Sequence, residues 1–277
     1  MRWRAKQLKS CPDKTTLRFA VTRFFRAIAL TITVICALAT ASVQGRDTAQ
    51  QAAGDTALPI IDYRQRFVPT VGRRGMIAAP ERLAAEVGLG ILQQGGNAID
   101  AAVATGFALA VTYPRAGNLG GGGFMLIHLA DEQRQTFIDY RETAPAGASR
   151  EMFLDDNGDV DRMREYFSHQ SAGVPGTVAG LLYAQEQYGK LSRKAVLAPA
   201  ISLAREGIPV SFALNFEITA RADQLAKNPE AARLFLTDKG AAPAIGSVWR
   251  QPELARTLGE ISQHGRSGFY AGSVAEH

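Results

Sequence analysis

"AGNLGGGGFMLIHLA", residues 116–130, sets five glycines (Gly117 and Gly120 to Gly123) in front of an apolar run. Glycine loses more backbone freedom on folding than any other residue, so four in succession imply positive φ angles or very close backbone approach. The flanking patterns narrow the choice. Upstream, "NAIDAAVATGFALAVTYP" (97–114) is Ala-rich and apolar around nearly its whole girth, which predicts a helix buried on most sides. Downstream, "GFMLIHLA" and "TFIDYRE" are separated by the polar "DEQRQ", which predicts a β-hairpin. The order is therefore helix, glycines, strand. A dinucleotide fingerprint needs strand, glycines, helix, so that a helix N-terminus faces the pyrophosphate. Its third glycine is also missing, because Gly120 and Gly122 lead to Met125, and Gly121 and Gly123 lead to Leu126. No Gly-Lys-Ser/Thr follows for a phosphate loop. The plain reading is a tight helix-to-strand crossing where only glycine fits.

Working outward, "GMIAAP" (75–80) reads as a short strand stopped by proline. "PERLAAEVGLGILQQGG" then has Leu83, Val87, Ile91 and Leu92 near helical spacing, Pro80 suited to a helix start and Gly95-Gly96 to its end. Beyond the hairpin, "GTVAGLLYAQEQYG", "SRKAVLAPAISLAREG", "SFALNFEITARADQLAKN" and "PELARTLGEISQHG" predict four further helices. The closing "GFYAGSVAEH" looks like the opening of another helix, which raises truncation as an expectation.

The chain has 277 residues, 46% hydrophobic and 21% charged, with a formal net charge of +5. That charge is local. Arg2, Arg4, Lys6, Lys9, Lys14, Arg18, Arg23 and Arg26 oppose only Asp13, and setting these aside from the 31 basic and 26 acidic residues leaves a net −2. A phosphate-neutralising surface needs clustered Lys and Arg on the folded domain, so nucleic acid is not an expected partner. The basic segment precedes "AIALTITVICALATA" (27–41), an apolar core ending in Ala39-Thr40-Ala41, the small-x-small pattern of a cleaved signal peptide. It is short for a membrane span, and an uncleaved anchor is the alternative reading. Bulky Ile35 argues against lipid attachment at Cys36. The expected organisation is a signal peptide at 1–41, an extended segment at 42–74 and one globular region at 75–277, in a periplasmic or secreted protein. Membrane contact is expected only through an uncleaved signal segment. Both cysteines, Cys11 and Cys36, fall in the leader, so a processed chain would have no disulfide and no thiolate chemistry.

Few chemical motifs survive inspection. "DDNGD" (155–159) lacks the glycine and the terminal glutamate of a calcium loop, with Val160 and Tyr166 at those positions, and reads as a solvated turn. His128, His169, His264 and His277 have no ligand spacing, so no metal is assigned. No G-x-S-x-G elbow is present. Arg141, in "FIDYRETAP" at the end of the expected strand, stands out because Phe137, Ile138 and Tyr140 around it call for burial. One reading is an ion pair with Asp139 or Glu142. The other is a guanidinium fork offered to a substrate carboxylate, for which arginine alone has the rigid bidentate geometry.

Longer blocks then become recognisable. "GMIAAPERLAAEVGLGILQQGGNAIDAAVATGFALAVTYPRAGNLGGGGFML", "IDYRETAP", "MFLDDNG" and "GVPGTVAGLLYAQEQYGKL" occur in fixed order and resemble the N-terminal, large-subunit portion of the γ-glutamyltransferase (glutathione hydrolase) family. The resemblance runs from about Gly75 to the C-terminus. It implies an α+β fold, a four-layer αββα sandwich of the N-terminal-nucleophile hydrolase type, incomplete in this chain. It further implies an exported precursor that cuts itself into large and small subunits, the new N-terminal Thr of the small subunit being the nucleophile and its amine the base. The implied substrate is glutathione or another γ-glutamyl compound, with water or an amino acid or peptide as acceptor, and no metal or organic cofactor. Arg141 matches the family arginine that clasps the glutamyl α-carboxylate, and Glu142 is implied as its support. The glycine cluster is implied to be a packed structural turn. The catalytic Thr is expected beyond His277, so none of this chain's residues is assigned a catalytic role. Two alternatives stay open: a related acylase, such as a cephalosporin acylase or a poly-γ-glutamate-processing enzyme, and a non-catalytic remnant. Half a sandwich is also expected to expose apolar sheet and helix faces.

Overall fold

A computed structural model describes residues 69–277; the leader at 1–41 and most of the 42–74 segment lie outside the described residues. In chain order the elements are α1 (Arg82–Gln93), α2 (Ala98–Thr112), β1 (Phe124–Leu129), β2 (Arg134–Asp139), α3 (Arg162–Phe167), α4 (Thr177–Tyr188), α5 (Arg193–Glu206), β3 (Ile208–Pro209), α6 (Phe212–Thr219), α7 (Ala222–Leu225), α8 (Pro229–Phe235), β4 (Val248–Trp249), α9 (Pro252–His264), α10 (Ser267–Tyr270) and α11 (Ser273–Glu276).

Helix α2 is the centre of the fold, and its composition explains why. Ile99, Val103, Phe107 and Val111 are buried together with Ala101, Ala104, Ala108 and Ala110, and the helix packs against α1, α4 and α5. Its start is fixed by a capping box. The Asn97 Oδ1 accepts from the N–H groups of Ile99 and Asp100, each at 3.0 Å, and Asp100 accepts from the Asn97 N–H at 3.0 Å. Asp100 is fully buried, and its carboxylate also accepts from the N–H groups of Lys190 (2.9 Å) and Leu191 (3.2 Å). The Asn97 amide donates to the Tyr188 carbonyl at 2.6 Å. One cap thus holds both the start of α2 and the chain leaving α4. At the other end of α2, the Gln251 amide donates to the Val111 carbonyl at 2.8 Å and ties it to the start of α9.

The hairpin β1–β2 pairs antiparallel, Phe124 opposite Asp139 through Leu129 opposite Arg134. Alternation places Ile127 and Ile138 in the core, where β2 meets α4. The opposite face is apolar and open: Phe124, Leu126 and Phe137 are 52%, 68% and 42% exposed, and the two phenyl rings stack at 5.7 Å. The expected exposed sheet face is therefore present. The class is mixed helix and sheet, as expected. A four-layer sandwich is not assembled by the described residues, whose second sheet is only the two-residue pair β3–β4.

Three local expectations need correction. Residues 75–80 form no strand; Ile77 leans on α1 at Gly88, but the segment has no ladder partner among the described residues. Pro80 precedes the cap of α1, which is Glu81, whose side chain accepts from the Ala84 N–H at 3.0 Å. The helix expected over 211–228 breaks between α6 and α7. There the Arg221 guanidinium donates to the Glu217 carbonyl at 3.2 Å, the acceptor a continuing helix would give to the Arg221 N–H, and that N–H turns to the Ile218 carbonyl at 3.1 Å. The closing segment does become helical, in two four-residue turns parted at Gly272, whose φ is +67°.

Helix α4 shows how distant segments cooperate. Its N-cap, Gly176, has no side chain to offer its free N–H groups. The Gly121 carbonyl accepts from the N–H groups of Gly176 (2.8 Å) and Thr177 (3.0 Å). The Tyr270 hydroxyl accepts from the Ala179 N–H at 3.2 Å and donates to the Pro175 carbonyl at 2.8 Å. Tyr270→Phe leaves a helix-end donor and a carbonyl unpartnered, so unfolding by urea should show a loss of about 1–3 kcal/mol. An unchanged midpoint and slope would show that water replaces the phenol without cost.

Candidate functional site

Arg141 stands one residue beyond the pairing of Tyr140 with Gly123, which exchange N–H to carbonyl bonds at 3.0 and 3.3 Å. The Asp139 carboxylate accepts from the Arg141 N–H at 3.0 Å, an Asx-type turn that swings the chain off the strand. Two residues later, Thr143 pairs with Val174 through bonds of 3.3 and 2.8 Å. The Tyr140–Thr143 segment is therefore held between the glycine crossing and the chain that leads into α4.

Of the four consecutive glycines, Gly121 to Gly123 owe their place to close approach. None of Gly117 and Gly120 to Gly123 has a positive φ. A Cβ on Gly122 would lie 2.6 Å from both the Tyr140 carbonyl oxygen and the Glu142 nitrogen, which backbone atoms cannot yield. On the far side, a Cβ on Gly176 would overlap the Tyr140 carbonyl, and one on Gly180 would enter the Tyr140 ring. Gly120 is different, with no atom within 4 Å of its notional Cβ. The glycines of "GVPGTVAG" were not singled out in the sequence as site-forming, yet they form the opposing wall. The signal available was their spacing at 173, 176 and 180.

Arg141 and Glu142 are adjacent and both exposed. Neither ion pair considered for Arg141 forms among the described residues; Asp139 engages its main chain instead, and the Arg141 guanidinium makes no salt bridge or hydrogen bond there. The Glu142 carboxylate lies over the crossing, with one oxygen 2.7 Å from the position of a Cβ on Gly122. Beneath them the half-buried Tyr140 ring rests against Gly123 and Gly180, and desolvation holds its phenol pKa above the ordinary value. A phenol shifted this way contributes stability in full below about pH 10 and loses it as pH rises through the folded-state value. The arrangement is an exposed guanidinium on a rigid backbone platform, a geometry suited to a carboxylate.

The remaining candidates resolve simply. "DDNGD" is a solvated turn: the Asp155 carboxylate accepts from the N–H groups of Asn157 (2.9 Å) and Asp159 (3.0 Å), which lower its pKa, that of Asp159 foremost, and Gly158 supplies φ +86°. No group of three His, Cys, Asp or Glu able to hold a metal occurs among the described residues. No helix among them is long and apolar enough to cross a membrane.

A sequence profile described as Gamma-glutamyltranspeptidase matches residues 84–277. Over 210 residues the chain is 44% identical to the glutathione hydrolase proenzyme of Escherichia coli (strain K12), covering 76% of this chain and 36% of that protein. Among solved structures, Helicobacter pylori gamma-glutamyltranspeptidase superposes with a TM-score of 0.73 at 39% identity, over 76% of this chain and 60% of that one. The Pseudomonas nitroreducens gamma-glutamyltranspeptidase complexed with L-DON gives 0.68 at 42% identity, over 74% and 59%. The chain thus spans about a third of the length of the curated relative.

Alanine substitutions test the platform. Gly122→Ala and Gly176→Ala should each lower stability by about 1–3 kcal/mol or more, the range for forced overpacking. Gly120→Ala, with open space and no positive φ, should be neutral or stabilise by up to about 1 kcal/mol by restricting the unfolded chain. Equal thermal shifts for Gly120 and Gly122 would contradict the close-approach account.

Proposed function

The chain belongs to the gamma-glutamyltranspeptidase family, and from that membership we propose that it is the large-subunit portion of an exported precursor that hydrolyses glutathione or a related γ-glutamyl compound. The observation that carries the reading is the exposed Arg141 guanidinium at the end of β2, without an ion-pair partner among the described residues and fixed through its own main chain. In this role the arginine receives the glutamyl α-carboxylate bidentately. It thereby orients the γ-carbonyl toward a nucleophile supplied by another part of the precursor. Glu142 supports the arginine, and the glycine platform keeps the two on a fixed base.

The rest of the proposal follows the family. A small subunit from the same precursor contributes an N-terminal Thr, whose hydroxyl attacks the γ-glutamyl amide with its own amine as base, forming a glutamyl ester as the C–N bond breaks and the amine product leaves with the proton that base took up. Water or an amino acid then takes the acyl group. That subunit supplies the second sheet of an αββα sandwich, packed on the open face of Phe124, Leu126 and Phe137. Residues 1–41 act as the export signal, residues 42–74 as an extended entry segment and residues 75–277 as the start of the large subunit, placing the enzyme in the periplasm or outside the cell.

The test uses the complete mature protein that carries this chain, assayed on a γ-glutamyl anilide. Arg141→Ala should lower kcat/KM by about 10- to 100-fold, chiefly through KM, in line with a charge-assisted contact worth about 1.5–3 kcal/mol. An anilide lacking the α-carboxylate should react poorly with the parent and lose nothing more in the variant. Equal losses on both anilides would remove Arg141 from carboxylate recognition.

A further inference from the structure

A cavity of about 600 Å³ opens between the end of α2 and the α6–α8 segment, and it includes neither Arg141 nor Glu142. Its wall is apolar: Pro114, Leu214, Ile218, Leu225 and Phe235. Two features set it apart from a packing defect. Thr112 lines it, is only 5% exposed, and its buried hydroxyl has no hydrogen-bond partner among the described residues. A buried hydroxyl without a partner costs folding free energy, and natural interiors rarely leave one. The other feature is the polar wall formed by Arg115, Glu217 and Arg221. Glu217 is shared between two arginines, its Oε1 accepting from Arg115 at 2.6 Å and its Oε2 pairing with Arg221. Each guanidinium uses only its Nη1 in these contacts and remains about half exposed, leaving Nε and Nη2 as spare donors among the described residues. The other carboxylate of the lining, Glu81, is engaged by the Ala84 N–H as the cap of α1.

We propose that this cavity is a binding site for a small amphipathic carboxylate. Its hydrocarbon lies along Leu214, Ile218 and Phe235, its anionic group meets the spare donors of Arg115 and Arg221, and one oxygen of that group also pairs with the Thr112 hydroxyl. The volume suits a small organic ligand, and an apolar lining with few convergent polar groups is the usual form of such sites. The donor excess at the mouth selects an acceptor-rich head group. The proposal is independent of the γ-glutamyl reading, which concerns the Arg141 platform.

The structure supplies its own reporter. Phe235 lines the cavity and packs on Trp249 at 5.5 Å between ring centroids. The chain has two tryptophans, Trp3 and Trp249, so Trp3→Phe leaves a single fluorophore beside the site. In that background, the full chain titrated with monomeric decanoate should show a saturable change in Trp249 emission, with one site per chain by calorimetry. Ala213→Phe, an exposed residue of the lining, should abolish it while leaving the circular dichroism unchanged. Thr112→Val should raise the melting temperature of the free chain and weaken decanoate about fivefold or more, the loss of one hydrogen bond. Decanol should bind at least about tenfold more weakly than decanoate, and Arg115→Gln with Arg221→Gln should erase that preference. No saturable signal, a signal untouched by Ala213→Phe, or equal affinity for decanol and decanoate would overturn the proposal.

Discussion

The site rests on one constraint: the backbone of Gly121 to Gly123 must touch the backbone of Tyr140 to Glu142. No side chain can stand between them, because a Cβ on Gly122 would meet the Tyr140 carbonyl and the Glu142 nitrogen at 2.6 Å. The same economy recurs on the other side, where Gly176 lies under the Tyr140 carbonyl. Having given up its side chain for that contact, Gly176 cannot cap α4. The Gly121 carbonyl and the Tyr270 hydroxyl serve the helix N-terminus in its place. The crossing, the arginine segment, the start of α4 and the C-terminal turn therefore stand or fall together.

Rigidity of this kind suits recognition. An arginine on a loose loop would lose side-chain and backbone entropy on meeting a carboxylate. Here the main chain at Arg141 is fixed beforehand by Asp139, Gly123 and Val174, and only the side chain remains to be ordered. The open apolar face of the hairpin is adjacent to this segment through Phe124 and Phe137, so a surface for further packing and a point for carboxylate capture share one hairpin.

How much of this was legible in the residues depended on whether the cause was local. The hairpin could be read from its alternation and polar turn, and α2 from apolar residues on every side, because both signals lie within one element. Arg141 stands out by the apolar residues around it, and the resemblance to the family implies its role. The reason for the glycines could be narrowed to two options but not decided, since the atoms they approach belong to residues 140–142 and 176–180. The supposed strand at 75–80 failed because an apolar run specifies an extended chain but not a partner. The break after Thr219 has no signal in the local sequence because it depends on the Arg221 guanidinium taking the Glu217 carbonyl. That Arg141 pairs with neither Asp139 nor Glu142 is equally hidden, because both are its neighbours in sequence and only the fold turns Asp139 onto its main chain.

The most direct test is a crystal structure of the complete mature protein with a γ-glutamyl substrate analogue. The account predicts the α-carboxylate in bidentate contact with the Arg141 guanidinium at hydrogen-bond distance, about 2.7–2.9 Å. It also predicts that the Gly121 to Gly123 crossing is unmoved beneath it. An analogue seated away from Arg141, or an Arg141 side chain ion-paired to Asp139 or Glu142 with the carboxylate held elsewhere, would contradict it.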